Sequence, residues 1–596
     1  MIKNTAPLAA LFVLAGIASA AALGAAGRPA IARDHKDSLQ EELACYIDNK
    51  MKEKRIVGLS ASVIAGGRTI LCEGFGYADR DAAVEMTEKT LLPIGSTTKL
   101  FTATAVMQLV ERGLVDLDSP LSAYLPSFSI RRREGQEGPI TVRQLLTHHS
   151  GLPSNLYADF QPDNPDPEAF RELPRLLAGE TLARTPGSAF AYSNLGYALL
   201  GCVIEAVTGV PYTTYVERNI LSPLGMKSSL TLPPAETDPR ISLGYRGRRE
   251  VQVYAIRDLP AGSMLSSAAD MDLFMGMILN RGSSAGESVL SAAGLEQMIS
   301  RQNAGVELDR DFAVGLGYWL IDPIGLDGER LASHGGDLPP FHSVLVTLPD
   351  AGIAVFLAAN SSTARGTVIT MASDIVRAVY GSVTGRAVRR RPPAARTTID
   401  AATADSLAGL YAGPMGLLEI RSRKAALYLS LGRLPLRLVP RSDGTYTPEL
   451  PLLRLLNIRP EALRGLAVRP FRFAGKQYLQ IAAAGVAAGA AERFTPSSPP
   501  ASWLERTGRY RITVGGSAGV RRNLSELELA YDRRLELLLF RFRLAGQRMS
   551  FPLEVLDTNT AVLAGTGTGL GETLSWAEGP PVGTLHWSGL TLTRED

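Results

Sequence analysis

Cysteine is scarce in this sequence, with 3 cysteines in 596 residues. Secreted proteins that depend on disulfides for stability carry a far higher share, so the chain is not a disulfide scaffold. Because Cys45, Cys72 and Cys202 are an odd set, at most one pair of them can form a bridge. Cys202 lies in the apolar stretch 197–207, which favours a packed core thiol.

An excess of charge of one sign is also missing. Lys and Arg total 62 against 59 for Asp and Glu, a formal net charge of +3. Because proteins that bind nucleic acid through its phosphates need a strongly basic surface, we expect no nucleic-acid partner. The 45% of hydrophobic and 20% of charged residues exclude a disordered chain, a collagen-like fibre and a polytopic membrane protein.

The sequence also lacks the spacings that usually bind metals. Of its six histidines only His148 and His149 are close together, and adjacent residues rarely bind one ion. There is no His-x-x-x-His and no Cys-x-x-Cys. We therefore expect no metal and no other cofactor, and we interpret His148 and His149 as hydrogen-bonded loop residues.

Residues 1–26 predict a secretory signal peptide. Lys3 precedes the apolar run 6–26, and Ala18-Ser19-Ala20 supplies small residues at the spacing that signal peptidase accepts. The run is long enough to cross a bilayer, so an uncleaved anchor is the alternative. Its many alanines and glycines make a weak span and favour cleavage. We expect a periplasmic or secreted protein that associates with a membrane only if the leader is retained.

The next segment, 37–385, alternates helical periodicity with short β-rich runs. It predicts an amphipathic helix over 38–54 and then a hairpin over 56–77. A second hairpin is predicted over 343–358, and the region between the hairpins is mostly helical. This order predicts an α+β fold, in which helices pack on an antiparallel sheet and a large helical insertion separates its parts.

Residues 386–400 follow no hydrophobic period and contain Arg389-Arg390-Arg391-Pro392-Pro393, which predicts a solvated linker. Short alternating strands follow. They predict two small antiparallel β-barrels of the lipocalin-like type, over 401–495 and 503–596.

The two barrel segments share sequence features. Gly409-Leu410-Tyr411 and Gly508-Arg509-Tyr510 open them in the same way, and the tetrapeptides that begin at Pro435 and Pro552 also correspond. These similarities indicate a duplication with changed loop lengths.

Ser96 and Lys99 stand at the start of a predicted helix, in Gly95-Ser96-Thr97-Thr98-Lys99. Residues three apart share one helix face, so the two side chains can meet. A serine hydroxyl is a weak nucleophile until a base takes its proton, and a desolvated lysine can act as that base. The helix N-terminus adds N–H groups that favour negative charge. Alone, such a pair is also typical of an N-cap serine with a solvated lysine.

Two later elements strengthen the catalytic interpretation. Tyr192-Ser193-Asn194 precedes a second long helical pattern, and His334-Gly335-Gly336 precedes the last hairpin. A phenol beside a lysine can shuttle a proton between nucleophile and leaving group, and an asparagine amide can orient the lysine. Glycines beside a strand edge let the backbone approach a substrate and offer an N–H to an oxyanion.

With Ser96-x-x-Lys99, Tyr192-x-Asn194 and His334-x-Gly336 in this order, the sequence resembles the serine β-lactamase/penicillin-binding protein superfamily. It is most similar to the class C branch, which holds class C β-lactamases, D,D-carboxypeptidases, D-aminopeptidases and related esterases. The resemblance covers about residues 39–380. Further segments that carry it are 145–152, 223–226, 260–262 and 315–318.

The resemblance implies a serine hydrolase that acts on amide or ester bonds through an acyl-enzyme. Ser96 would be the nucleophile, Lys99 its base and Tyr192 a second acid/base group. Asn194 would orient Lys99 and contact the substrate amide. His334 would replace a lysine of the family's strand motif and support Tyr192.

The same resemblance implies an oxyanion hole. It would use the backbone N–H groups of Ser96 and Asp337, with Gly335 and Gly336 lining the substrate site.

The strand motif departs from that of true β-lactamases, where a lysine and a threonine bind the substrate carboxylate. His334 and Gly335 replace both, and a neutral histidine holds an anion poorly. Asp337 would add a carboxylate that repels another. We therefore expect inefficient hydrolysis of penicillins and cephalosporins. The expected substrates are uncharged esters or amides, or a peptide with a free amine near the scissile bond.

Other functions stay open. A class C-type domain followed by two barrels resembles D-aminopeptidases, in which a barrel loop restricts access to the active site. A D-aminopeptidase or D,D-carboxypeptidase on cell-wall-type peptides is therefore an alternative, as is a β-lactamase. A non-catalytic sensor or binding protein is less favoured, since Ser96, Lys99 and Tyr192 are all present. The oligomeric state is left open.

Overall fold

The computed structural model describes residues 36–595 except 159, 161–165, 235–237, 252, 254, 285, 327, 387, 389–393, 432–433, 451–465, 484–485, 545 and 578–582. The predicted signal peptide, 1–26, lies outside the described residues. Within the described part, no single helix is long and apolar enough to cross a membrane. The helix Asn194–Thr208 and the continuous helical run Tyr212–Leu224 meet that criterion only as a pair, and the pair is bent by 80°.

The first domain, 36–384, contains twelve strands and eleven α-helices among its described residues. The strands are β1 Gly58–Ala65, β2 Arg68–Asp79, β3 Val84–Glu85, β4 Leu92–Pro93, β5 Tyr245–Arg246, β6 Arg249–Glu250, β7 Leu265–Ser266, β8 Ser283–Ser284, β9 Glu287–Ser288, β10 Ala332–Leu338, β11 Phe341–Leu348 and β12 Ile353–Ala359. The helices are α1 Lys36–Lys54, α2 Thr98–Glu111, α3 Val142–Leu146, α4 Leu173–Leu176, α5 Asn194–Thr208, α6 Tyr212–Val216, α7 Ser222–Leu224, α8 Leu259–Gly262, α9 Ala268–Leu279, α10 Ala292–Met298 and α11 Thr367–Thr384.

A six-stranded antiparallel sheet in the order β10-β11-β12-β1-β2-β3 organises this domain. Successive side chains of a strand point to opposite faces of the sheet. At the centre of this sheet both faces are covered by apolar clusters. On β12, Val355 and Leu357 join the apolar cluster that includes α1 and α11, while Phe356 joins the cluster of the helical insertion. The α+β prediction is confirmed, with an antiparallel sheet, packed helices and a large insertion.

Two closed barrels of eight antiparallel strands follow, which confirms the predicted barrels. The first consists of β13 Gly409–Gly413, β14 Gly416–Arg423, β15 Ala426–Leu431, β16 Leu434–Pro440, β17 Tyr446–Glu449, β18 Ala467–Phe473, β19 Lys476–Ala483 and β20 Val486–Phe494. The second consists of β21 Gly508–Val514, β22 Leu524–Asp532, β23 Leu537–Leu544, β24 Gln547–Val555, β25 Thr560–Leu563, β26 Thr573–Ala577, β27 Thr584–Trp587 and β28 Leu590–Arg594. Short helices accompany them, α12 Ala401–Leu407, α13 Ala501–Glu505 and α14 Ala518–Asn523.

The barrels repeat a local arrangement at their first strands. Tyr411 donates its hydroxyl proton to the Leu407 carbonyl, and Tyr510 does the same to Arg506, four residues upstream in each case. Pro435 and Pro552 both lie on the fourth strand of their barrel. These equivalences support the predicted duplication.

The described end of the predicted linker contacts the first barrel. Residues 387 and 389–393 lie outside the described part of the chain. The backbone of Arg396 forms an isolated antiparallel β-bridge with that of Arg441 in the first barrel. The Arg396 guanidinium lies 2.8 Å from the Glu449 carboxylate. The end of the predicted linker is therefore attached to the barrel, because an arginine and a carboxylate there can pair.

Candidate active site

A short 3₁₀ turn, Gly95–Thr97, leads into α2 and carries Ser96. The turn is closed by the Thr98 hydroxyl, which donates to the Gly95 carbonyl at 2.7 Å. Lys99 follows on the first turn of α2, and its Nζ lies 3.3 Å from Ser96 Oγ. The spacing of three residues thus brings the two side chains together, as predicted.

Lys99 is fully buried and contacts two carbonyl oxygens. Its Nζ lies 2.8 Å from Asn194 Oδ1 and 2.6 Å from the Ala261 carbonyl. Burial lowers the pKa of Lys99 well below its usual value, although the charge of Asp258 opposes this shift. A neutral amine can donate its two protons to these oxygens and keep its lone pair for Ser96. The environment is therefore suited to a lysine that acts as a base.

Tyr192 closes the other side of Ser96, with its hydroxyl 2.8 Å from Ser96 Oγ. Its ring packs on His148 at a centroid distance of 4.2 Å and stacks with Trp319 at 6.1 Å. Burial raises the pKa of Tyr192, against the hydrogen bond with Ser96. The phenol consequently keeps its proton at neutral pH and can pass it on when a substrate reacts.

Asn194 is the first residue of α5, and the helix start fixes its direction. The preceding Ser193 caps the helix by accepting the Gly196 N–H at 3.3 Å. The Asn194 amide donates its Nδ2 proton to Asn155 Oδ1 at 2.8 Å. Its Oδ1 is thereby turned toward Lys99, which matches the expected orienting contact.

His334 lies within strand β10, at the edge of the sheet, rather than ahead of the strands. Its Nδ1–H donates to the Gly335 carbonyl at 2.8 Å, and its Nε2 has no partner among the described residues. Burial lowers the pKa of His334 to about 3, so the ring is neutral. The histidine whose ring packs on that of Tyr192 is His148, at a centroid distance of 4.2 Å.

Strand β10 passes very close to the turn that carries Ser96. A Cβ on Gly336 would lie 1.8 Å from the Ile94 carbonyl oxygen, and a Cβ on Gly95 would lie 2.8 Å from the Asp337 nitrogen. Only glycine fits at these two positions. The backbone N–H of Asp337 is therefore held beside the Ser96 turn, where an oxyanion hole is expected.

Asp337 does not carry an isolated charge. Its carboxylate lies 2.9 Å from His342 Nδ1 and 2.8 Å from the Arg365 guanidinium. Partial desolvation would raise the pKa of Asp337, whose side chain is 36% exposed, but His342 and Arg365 lower it below the usual value. The lone, repelling carboxylate that the sequence led us to expect is thus balanced by Arg365, which lies far along the chain and could not be paired with it from the sequence.

One cavity of about 330 Å³ lies at this site. Its lining includes Ser96, Tyr192, Asn194, His334, Gly335, Gly336 and Asp337. Its apolar wall consists of Phe190, Leu308, Phe312 and Trp319. The barrels complete it with Pro414, Gly489, Ala490, Thr566, Gly567 and Thr568.

Several of these contacts were not predicted from the sequence. No sequence motif indicated that Trp319 and the His148 ring would pack on Tyr192. His149 forms a buried pair with Asp309 at 2.7 Å, and Asp309 also accepts the Phe190 N–H at 2.8 Å, which fixes the apolar wall. The barrel residues did leave a signal, since glycine occupies every second position from 565 to 571.

The described residues contain no group of three or more His, Cys, Asp or Glu side chains that could hold a metal ion. Cys45, Cys72 and Cys202 are free thiols, and Cys202 is buried as expected.

The family model described as Beta-lactamase matches residues 43–380, more than half of the chain. Protein flp of Staphylococcus aureus (strain MW2) is 28% identical over 327 residues, which are 54% of this chain and 63% of flp. Esterase EstB of Burkholderia gladioli is 37% identical over 200 residues, 32% of this chain and 51% of EstB. The chain thus matches less than two thirds of the length of either relative.

Solved structures show a similar fold. The octameric penicillin-binding protein homologue from Pyrococcus abyssi is 27% identical, with a TM-score of 0.50, and the match covers 76% of this chain and 99% of that one. SurE, solved with D-Leu, is 23% identical with a TM-score of 0.56, and the match covers 77% of this chain and all of SurE. At this identity the likeness to SurE concerns the fold alone.

Proposed function

The chain belongs to the β-lactamase family, and we propose that it is an exported serine hydrolase that cleaves ester or amide bonds through an acyl-enzyme on Ser96. The observation that carries the proposal is the contact of Ser96 Oγ with Lys99 Nζ at 3.3 Å and with the Tyr192 hydroxyl at 2.8 Å. A nucleophile between a desolvated amine and a protonated phenol has both the base and the acid that acyl transfer needs.

In the acylation step, Lys99 takes the proton of Ser96 as Oγ attacks the substrate carbonyl carbon. The carbonyl oxygen becomes an oxyanion beside the N–H groups of Ser96 and Asp337. When the tetrahedral intermediate collapses, the bond to the leaving group breaks. Tyr192 protonates the leaving group and regains a proton from Lys99, whose amine lies 4.9 Å from the Tyr192 ring centre.

Deacylation reverses these roles. Water takes the place of the leaving group and its oxygen attacks the acyl carbon, while one of its protons passes through the Tyr192 hydroxyl to the neutral Lys99 amine. The ester bond to Ser96 breaks, the carboxylic acid leaves and Oγ regains its proton. Asn194 keeps the amine in line through both steps, because its amide oxygen accepts from Lys99 at 2.8 Å.

The cavity favours a substrate that is uncharged near the scissile bond. Phe190, Phe312 and Trp319 offer an apolar surface for an acyl or leaving group. Arg365 is already paired with Asp337 at 2.8 Å, and His334 is neutral. A substrate carboxylate would have to break the Arg365–Asp337 pair to find a cation, which supports esters and amides over β-lactams. The similarity to EstB points the same way.

A peptidase is the second candidate function, either a D-aminopeptidase or a D,D-carboxypeptidase. It is favoured by the barrel residues Pro414, Ala490 and Thr566, which line the same cavity as Ser96 and so restrict the substrates that can enter. Turnover of D-alanine p-nitroanilide, measured beside that of p-nitrophenyl esters, distinguishes a peptidase from an esterase. A kcat/KM for the anilide above that for every ester would favour the peptidase.

The test of the proposed function uses two covalent probes on the full chain, a fluorescent fluorophosphonate and a fluorescent penicillin, each beside Ser96→Ala. We expect fluorophosphonate labelling that depends on Ser96, and slow or absent penicillin labelling. Labelling that survives in Ser96→Ala would overturn the nucleophile. No labelling together with no ester turnover would favour a sensor or binding protein.

Export has its own test. Expression of the full-length chain should yield a mature protein in the periplasm or the medium, with an N-terminus near residue 20 or 26. A protein that stays in the membrane with Met1 intact would favour the uncleaved anchor.

A further inference from the structure

The segment 564–572 of the second barrel, here termed the glycine loop, joins β25 to β26 and reaches the candidate active site. Glycine stands at 565, 567, 569 and 571, and all four have φ between 74° and 117°. Residues other than glycine rarely adopt these positive φ values. The conformation of the loop is therefore specified by its own sequence.

The glycine loop is wedged between the other two units of the chain. A Cβ on Gly571 would lie 2.0 Å from the Ala183 carbonyl oxygen of the first domain, and one on Gly565 would lie 2.6 Å from that of Ala412 in the first barrel. Thr566 also donates its hydroxyl proton to the Ala490 carbonyl at 3.0 Å. The loop consequently has little freedom to move away from the cavity.

The loop forms hydrogen bonds with the backbone that carries Tyr192 and Asn194. Thr568 Oγ1 accepts the Tyr192 N–H at 3.0 Å. Gly569 donates its N–H to Ser154 Oγ at 2.8 Å, and the Ser154 carbonyl in turn accepts the Asn194 N–H at 2.9 Å. Both N–H groups precede or open helix α5, where a helix cannot supply their partners.

Glu572 holds the Ser154 segment through a further hydrogen bond. Its carboxylate is only 2% exposed and accepts the Ser154 N–H at 3.1 Å. The other oxygen accepts the Trp587 indole N–H at 3.1 Å and the Ser588 hydroxyl at 2.9 Å. Three donors on one buried carboxyl group define its position well, so Ser154 is tied to the core of the second barrel.

We propose that Thr568 and Glu572 are positioning residues of the active site, which is incomplete without the second barrel. Thr568 acts through the backbone of Tyr192, and Glu572 acts through Ser154 and Asn194 on Lys99. The inference rests on the proposed function, since it assigns a task to groups that set the geometry of the acyl transfer. A displacement of about 1 Å of such groups costs on the order of 100-fold in rate.

The primary test compares Thr568→Val, Thr568→Ser and the exposed barrel control Thr558→Val in the full chain. Valine keeps the shape but leaves the Tyr192 N–H without an acceptor, whereas serine keeps the oxygen. For a p-nitrophenyl ester we expect Thr568→Val to lower kcat about tenfold or more at a KM within about threefold. Thr568→Ser and Thr558→Val should stay within about twofold of the wild type.

Glu572→Gln, with the exposed Glu554→Gln as its matched control, tests the second residue. An amide meets three donors with one acceptor oxygen, so the Ser154 loop is no longer held in one place. We expect a lower kcat, and an acidic limb of the pH–rate profile that shifts because the contacts of Lys99 change. A lower melting temperature with wild-type kcat and pH profile would show a structural role only and overturn the proposal for Glu572.

The outcomes separate this inference from the proposed function. If the wild type shows Ser96-dependent fluorophosphonate labelling and Thr568→Val is labelled and turns over at the wild-type rate, the positioning role fails while the serine hydrolase stands. If the wild type itself is not labelled at Ser96 and turns over no ester, both proposals fail together.

Discussion

Ser96 Oγ and Lys99 Nζ lie 3.3 Å apart, and the amine is fully removed from solvent. Desolvation is the main cause that lowers the pKa of Lys99. A lysine in this environment can be neutral at a pH where an exposed lysine is protonated. The burial of Lys99 therefore favours a neutral amine that can act as a base beside the Ser96 hydroxyl.

The first prediction concerns pH. Because the neutral amine is the active form and its pKa is lowered, the rate of Ser96 phosphonylation should be full above that pKa and fall as pH drops through it. Tyr192 has a raised pKa, so no basic limb is expected up to about pH 9. The rate is measured from about pH 5 to pH 9 with a fluorophosphonate. A rate that declines as pH rises in this range would contradict the assignment.

The second prediction concerns the phenol. Tyr192→Phe removes the hydroxyl 2.8 Å from Ser96 Oγ and leaves the ring packed on His148. Loss of one acid/base group typically lowers kcat by about 10²–10⁴-fold. Steady-state kinetics on an ester should show this loss, with a melting temperature close to that of the wild type. The control is Tyr428→Phe in the first barrel, which should be neutral in both measurements.

The third prediction compares two adjacent glycines. A Cβ at Gly336 would lie 1.8 Å from the Ile94 carbonyl, whereas one at Gly335 would meet only the Ser343 carbonyl at 3.6 Å. Gly336→Ala must push strand β10 away from the Ser96 turn, at a cost of about 1–3 kcal/mol. We expect it to melt at a lower temperature and to lose activity, and Gly335→Ala to melt as the wild type does. Equal melting temperatures for the two variants would contradict the close packing.

The fourth prediction concerns selectivity. Asp337→Asn leaves Arg365, 2.8 Å from the carboxylate in the wild type, without its anion. An unpaired charge near the protein surface is worth on the order of 1–4 kcal/mol to an opposite charge. The variant should therefore be acylated by a fluorescent penicillin about tenfold faster or more, at a nearly unchanged rate with a neutral ester. Unchanged or slower penicillin labelling would disprove the idea that the Asp337–Arg365 pair disfavours anionic substrates.

Part of the site was predictable because two pairs of its residues are local in sequence. Ser96 and Lys99 are three residues apart where a 3₁₀ turn leads into α2, and Tyr192 and Asn194 flank the start of α5, so short spacings specify the geometry within each pair. The sheet and the barrels were predictable for a related reason. The barrel strands alternate buried and more exposed residues, as β14 and β21 do. The central strands of the sheet, β1, β11 and β12, are buried on both faces, and short β-rich runs beside turn residues predicted them instead.

What could not be predicted depends on contacts between distant segments. Arg365 neutralises Asp337, and Glu572 reaches Ser154 across more than four hundred residues. No periodicity reports such pairs, because each side chain is ordinary in its own segment. The alternate glycines of 565–571 were the one local sign that this loop approaches another backbone closely.

The central claim is that Ser96 becomes acylated. Its most direct test is an acid-quenched reaction of the full chain with a p-nitrophenyl ester, followed by mass spectrometry of the peptide that contains Ser96. The account predicts an acyl adduct on Ser96 in the wild type, no adduct in Ser96→Ala and the loss of turnover in that variant. An adduct on another side chain, or ester turnover by Ser96→Ala at the wild-type rate, would contradict it.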